Sequence, residues 1–415
     1  MRTAALIAGL LLCLSVLVDA FQTIILPRRP VGHLRITRFF YIVTWIPWSF
    51  VVRHISNRKA REQLYSIYGP GSLLLLLVVW AGFLLFGYAL LFYALGSPFT
   101  DPLGLAWHPD RLRTDLYVSG TTLFTLGLGD VVPRSIAART IIIFECASGL
   151  GLVALVIGYV PVLYGAFSRR EVSVALLDGR AGSPPTSAEL LRRHAFEGGQ
   201  EALVVLLTEW ERWAADILES HISYPILCYY RSQHDNQSWL SALTAVLDTC
   251  ALLISVVPGE ASRQAQLTFA IARHALVDLG HVFHLEKMET RFRENPQGRD
   301  RLTTDRLPPG QPLADRLPPA HFRQLCDAMS QSGLRLCGDP DAAARLHALR
   351  GLYEPHAQAI GNYLGMSLPA WIPEPRAKDQ WKLVELVRSK AAAQLTQNSA
   401  LNPEAIASRI HSEEH

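Results

Sequence analysis

The sequence predicts an all-α membrane protein, with a membrane region before residue 168 and an all-α domain behind it. Three observations carry that expectation. Three charge-poor stretches of bilayer-spanning length fall before residue 168, and the remainder reads as soluble protein. Between the first two stretches, the run from Arg28 to Arg61 holds eight basic residues (Arg28, Arg29, Arg35, Arg38, Arg53, Arg58, Lys59 and Arg61) and no acidic one. Beyond residue 190, apolar residues recur at three- and four-residue spacing and no strand-rich region stands out. With 415 residues, 50% of them hydrophobic, the chain has room for two or three domains. The net charge of +3 says little. A basic cluster beside membrane spans reads as a juxtamembrane segment on the cytoplasmic side, not as a nucleic-acid surface. The six cysteines form no CxxC pair and no disulfide framework, which suits a reducing compartment for the soluble part.

Residues 1–27 are predicted to form an N-terminal transmembrane helix. Val18-Asp19-Ala20 is a passable signal-peptidase site, but the apolar run continues to Leu26, about 24 residues against the 7–15 of a signal-peptide core. Asp19 inside this span is expected to pair with Arg28 or Arg29 near the inner face; a gating or voltage-sensing role is the alternative. Residues 28–71 form a basic interfacial or cytoplasmic segment. Its aromatic part, 39–52, is short for a span and is expected to lie in the headgroup plane. Gly69-Pro70-Gly71 reads as a turn opening the next span.

Residues 72–95 contain no charge and predict the clearest transmembrane helix, with Gly82 and Gly87 as candidate points of close helix approach. Residues 115–124 predict a short helix, and 139–167 a third span ending in Arg169 and Arg170. Basic residues at the far ends of both helices place those ends inside, so the intervening loop faces outward and the first span starts outside. Gly149, Gly151, Gly158 and Pro161 in the third span invite bending: Gly149 or Gly158 with Pro161 is a candidate gating hinge, against ordinary packing. Glu145 is expected to set the local field or titrate as a gate, or else to hydrogen-bond the short-helix region.

Between these helices lies Thr125-Leu126-Gly127-Leu128-Gly129-Asp130, followed by Pro133. Alternating glycines are poor helix formers. Non-helical backbone at membrane depth is tolerated only where protein or a wet cavity covers it. An ion filter has that requirement: main-chain carbonyls replace the ion's hydration shell, and glycine permits the positive φ involved.

Thr-x-Gly-x-Gly-Asp, set between a short helix and a proline-preceded long one, resembles the pore of the tetrameric potassium-channel family over residues 72–170. The resemblance implies carbonyl ion sites at Thr125, Leu126, Gly127, Leu128 and Gly129, an outer-mouth carboxylate at Asp130, and a hinge glycine at Gly149. Leu128 replaces the usual tyrosine and loses its hydroxyl tie to the pore helix, and Phe124 stands where threonine is common. One pore loop per chain implies a homotetramer.

Residues 171–190 read as a linker, with Thr186-Ser187-Ala188-Glu189 opening a cytoplasmic helical domain over 191–415. Helices are predicted at 201–220, 239–257, 264–289, 322–332, 342–366 and 377–397. A Pro-rich loop, 296–319, predicted extended or disordered, contains an internal echo: Asp305-Arg306-Leu307-Pro308-Pro309 recurs as Asp315-Arg316-Leu317-Pro318-Pro319. His274, Asp278, His281 and His284 share one helix face with Glu286 near; that pattern is usually solvated, and no metal is assigned. Glu209, Glu211, Glu219 and His221 make no di-iron pattern. His234-Asp235-Asn236-Gln237-Ser238 reads as a polar turn and helix cap. No Walker loop, dinucleotide fingerprint or nucleophile elbow is present.

The expected function is a potassium-selective channel, not an enzyme, without cofactor beyond the permeant potassium ion, its partners being the lipid bilayer and three further copies, and no nucleic acid. It is expected in the plasma (inner) membrane as a multi-pass protein with its C-terminal domain cytoplasmic. No basic repeat of the voltage-sensing kind occurs. Two alternatives stand beside this: a weakly selective cation channel, because of Leu128, and a membrane-anchored metal-binding or enzymatic domain on a non-conducting pore scaffold.

Overall fold

The computed structural model describes residues 1–26, 35–100, 111–233, 237–283, 285, 315–337 and 339–373. The chain is an all-α membrane protein. Three of its helices are long and apolar enough to cross a membrane. The first is α1 (Arg2–Ala20), prolonged by a wide π-turn at Phe21–Ile25. It packs antiparallel to α3 (Arg58–Ala94), with Arg2 near Gly96 and Asp19 near Trp80. Glycine lets the two backbones touch: a Cβ on Gly87 would lie 2.6 Å from Cys13 Sγ, and one on Gly9 would lie 2.7 Å from the Gly87 carbonyl. Gly82, the other candidate for close approach, faces open space.

Asp19 is buried, and among the described residues its charged partner is Arg35; the expected Arg28 and Arg29 lie outside the described residues. Its Oδ2 accepts from Thr37 N (3.0 Å), Thr37 Oγ1 (2.6 Å) and Trp80 Nε1 (3.0 Å), while Arg35 Nε stands 3.6 Å from Oδ1. The carboxylate thus meets the N-terminus of α2 (Ile36–Arg53), where the helix dipole favours negative charge.

The aromatic segment expected in the headgroup plane is the helix α2. It runs antiparallel to the lower half of α3, because Asp19 fixes its start beside Trp80 and Thr44 bonds Tyr68 (2.9 Å) two turns later. The predicted turn at Gly69-Pro70-Gly71 is also absent: α3 runs through it without a break. Pro70 costs one backbone hydrogen bond, but Gly69 lets the Tyr230 ring lie against the helix, where a Cβ would be 2.8 Å from that ring.

After α3, strand β1 (Phe99–Thr100) pairs antiparallel with β2 (Val132–Pro133). Between them is α4 (Arg111–Leu123), and after them α5 (Ile136–Ala181), capped by the Ser135 hydroxyl on Ala138 N (3.1 Å). Most of the expected linker at 171–190 is helical, since α5 continues to Ala181 and Thr186 caps α6 (Ser187–Arg193).

The C-terminal domain comprises α6, α7 (Gly199–Ser223), a 3-10 turn (Pro225–Tyr229), α8 (Trp239–Ser255), α9 (Ala261–Val282), α10 (Pro319–Gln331), α11 (Ala342–Gly351) and α12 (Glu354–Leu364). Helix α8 is buried on all sides, only Ile254 escaping, so it forms the axis of the domain's core. The helix expected over 342–366 is two helices. The chain turns at Leu352-Tyr353, and Pro355, with no N–H to give, opens α12. The helix expected at 377–397 lies outside the described residues.

Domain and membrane helices are joined through the C-terminus of α12. Its last carbonyls accept from Trp45 Nε1 (Tyr363, 3.2 Å), Arg53 (Asn362 and Tyr363) and Arg231 (Leu364, 2.5 Å). Two guanidinium groups at a helix C-terminus complement its partial negative charge.

Candidate ion-conduction site

The candidate site is the loop between α4 and α5. Helix α4 ends at Leu123, and the backbone then turns: Phe124 N donates to the Gly120 carbonyl (3.2 Å), Thr125 N to Thr122 (3.0 Å) and Leu126 N to Thr121 (2.7 Å). Thr125, Gly127 and Gly129 have φ of +56°, +58° and +76°, whereas Leu126 and Leu128 between them stay outside that region. A left-handed residue at every second position reverses successive peptide planes, so carbonyls can turn to one side instead of alternating across a strand. The glycines adopt this freely; Thr125 carries about 1–3 kcal/mol of strain. All residues from Phe124 to Gly129 are exposed in the single chain, with Leu126 and Leu128 at 62% and 63%.

The loop is held at both ends. Asp130 Oδ2 accepts from the Tyr117 hydroxyl of α4 (2.6 Å) and its Oδ1 from Val131 N (3.0 Å). The β1–β2 ladder and the Arg134 N to Pro98 carbonyl bond (2.8 Å) clip the exit strand to the end of α3. Sequence reasoning missed Tyr117: it recognised the tie lost at Leu128, but an outward tyrosine 13 residues before the aspartate gave no motif.

Behind the loop, α3, α4 and α5 meet in a buried polar girdle. The Ser119 hydroxyl contacts both the Leu85 carbonyl (2.8 Å) and Glu145 Oε1. Tyr88 shares a hydrogen bond with Ser148 Oγ (2.7 Å). Of the roles expected of Glu145, the structure displays the hydrogen bond, to Ser119 of α4. Gly149 is buried where a Cβ would overlap the Leu123 carbonyl, so at this position the structure displays close packing of α5 on the end of α4. Gly151 and Gly158 face open space, and Pro161 sits within an unbroken helix.

Arg170, expected as an inner-face flank, is instead buried in the C-terminal domain. It donates to the carbonyls of Leu227 (2.9 Å) and Tyr230 (2.9 Å) and to His221 Nε2 (3.2 Å), and pairs with Glu171 (2.9 Å). A guanidinium donating to Nε2 leaves the imidazole proton on Nδ1. Burial, with the Arg170 charge beside it, pushes the His221 imidazole well below its ordinary range.

Among the described residues no three His, Cys, Asp or Glu side chains converge to hold a metal. The exposed His274 has its Nε2 3.6 Å from Oδ2 of the buried Asp278. His284 and Glu286 lie outside the described residues, as do His234–Asn236. Ser238 caps α8 through Ser241 N (3.4 Å).

Residues 74–163 match the model of an ion-channel family. An uncharacterised membrane protein of Bacillus subtilis (strain 168), YdjJ, is 26% identical over 299 residues, covering 70% of this chain and 82% of that protein. No solved structure matches. The match brackets α4, the loop and the polar girdle, so the chain carries an ion-channel domain within its membrane region.

Proposed function

We propose that this chain is the subunit of a potassium-selective channel whose filter is closed by four copies, with the C-terminal domain in the cytoplasm. The observation that carries the reading is the exposed loop from Thr125 to Gly129, with its alternating left-handed backbone, at the end of a membrane-region helix. Lipid cannot satisfy such a backbone, so other protein must cover it and water or ions must line it. One strand offers one carbonyl per layer, whereas a dehydrated cation needs a ring of them; four strands around an axis supply it.

In this reading Thr125, Leu126, Gly127, Leu128 and Gly129 coordinate potassium. Asp130, braced by Tyr117, stands at the outer mouth. Gly158 and Pro161 are the bending point of α5, with Gly149 as its fulcrum against α4. The basic residues around Arg58 and Arg169 put the C-terminal domain on the cytoplasmic side.

The test is ion flux in proteoliposomes loaded with potassium or sodium, comparing the unaltered protein with Gly127→Ala. Potassium flux above sodium flux, lost on substitution, is expected. Equal flux of both ions would establish the weakly selective reading, which the exposed Leu128, without a hydroxyl, favours. Flux indifferent to Gly127→Ala would overturn conduction through this loop.

A further inference from the structure

The duplicated pentapeptide has a built seat. In the structure the second copy, Asp315-Arg316-Leu317-Pro318-Pro319, fills a socket made by α8, α11, α12 and the segment after α12. Arg316 forms a bidentate pair with Asp248 (3.2 and 2.5 Å), reaches Glu354 (2.8 Å) and donates to the Pro369 carbonyl (2.8 Å), its guanidinium 5.6 Å from the Trp371 ring centroid. Asp315 accepts from Arg350 (2.5 Å) and from Leu317 N (3.0 Å). Leu317 is buried and its carbonyl accepts from Arg350 (3.3 Å). Pro318 and Pro319 open α10.

The socket is made for a cation. Asp248 is fully buried and Tyr353 also donates to it (2.5 Å). Without Arg316, Asp248 and Glu354 would face Arg350 alone, leaving one buried negative charge uncompensated. Apart from the Leu317 carbonyl, side chains make the charged contacts of the seated segment. Residues 305–309 repeat all five of those side chains in the same order, ten positions upstream.

We propose that this socket is a sequence-specific binding site for the peptide Asp-Arg-Leu-Pro-Pro, and that residues 305–309 are its second ligand, seating in exchange for residues 315–319 of the same chain. Each chain has one socket and two ligands, so one copy is always displaced. Exchange conserves the ion pairs and the buried leucine. Its cost is the first turn of α10 and a loop of ten residues left between socket and helix, and closure entropy grows slowly with loop length.

The test uses full-length protein in detergent with Arg306→Ala, Arg316→Ala and the double substitution, followed by thermal melting and hydrogen exchange. Arg306→Ala is expected to melt within about 1 °C of the unaltered chain. Arg316→Ala should lose less than about half of the melting temperature that the double variant loses, and the peptide covering 305–309 should gain exchange protection in it. An Arg316→Ala protein that melts like the double variant, fails to fold, or leaves 305–309 unprotected overturns the exchange.

Discussion

Substituting Gly149 separates packing from hinge motion in α5. A Cβ on Gly149 would overlap the Leu123 carbonyl and lie 3.2 Å from Leu123 Cδ1. Carbon–oxygen contacts settle near 3.3–3.6 Å, so Gly149→Ala must part α4 from α5 by about an ångström. Forcing one methyl into such a contact costs about 1–3 kcal/mol. The loop's first left-handed residue, Thr125, is only two positions beyond Leu123, so the displacement reaches it. A cost of about 2 kcal/mol shifts the balance between seated and displaced loops by about 30-fold. Gly158→Ala meets nothing within 4 Å and changes only backbone freedom, by about 1 kcal/mol in favour of the helix. Melting in detergent and potassium flux in proteoliposomes, measured on both variants, give the comparison. Gly149→Ala should melt lower and conduct less, whereas Gly158→Ala should melt slightly higher and alter only opening kinetics. Two variants with the same behaviour, or a Gly149→Ala protein indistinguishable from the unaltered one, would refute close packing as the role of Gly149.

Two further expectations follow from buried groups. His221 is held neutral in the folded protein below its ordinary range, while the unfolded chain takes up the proton near pH 6.5. Its stabilising effect is therefore complete above that pH and is lost as pH falls below it, by up to about 1.4 kcal/mol per unit; a melting temperature whose acid limb is unchanged in His221→Gln would contradict this. Asp19→Ala leaves the Thr37 hydroxyl and N–H, the Trp80 N–H and the Arg35 charge buried without their acceptor, at about 3–5 kcal/mol. Asp19→Asn keeps an acceptor, so equal destabilisation by the two substitutions in a detergent melt would sink that account.

The membrane spans were legible because charge is the costliest thing to place in lipid, and residues 72–95 contain none. The end of α4 was legible from the Gly-x-Gly run that stops the helix, whereas its start, at Arg111 instead of the expected 115, was not. What escaped was set by partners distant in sequence. Gly69-Pro70-Gly71 stays helical, with the Tyr230 ring packed against Gly69; α2 descends beside α3 because Asp19 holds its N-terminus; Arg170 is buried because residues 221–230 offer it three acceptors. Tyr117 and Asp130 belong to this group too, since their bond depends on how α4 meets its own loop. The repeated pentapeptide was visible as composition, but the socket that gives it meaning is assembled from α8, α11, α12 and the turn at Trp371.

Helix α5 is one unbroken rod of 46 residues. At 1.5 Å per residue it measures about 69 Å. One end is keyed beside the loop by Gly149, and the other is embedded in the C-terminal domain by Arg170. A rod held at two points with Gly158 and Pro161 between them is a jointed shaft: movement at one anchor is taken up at that joint or passed on to the other. Any molecule that grips the C-terminal domain more tightly in one position of the shaft will bias the loop. By thermodynamic reciprocity, ions occupying the loop will bias the grip on that molecule by the same factor.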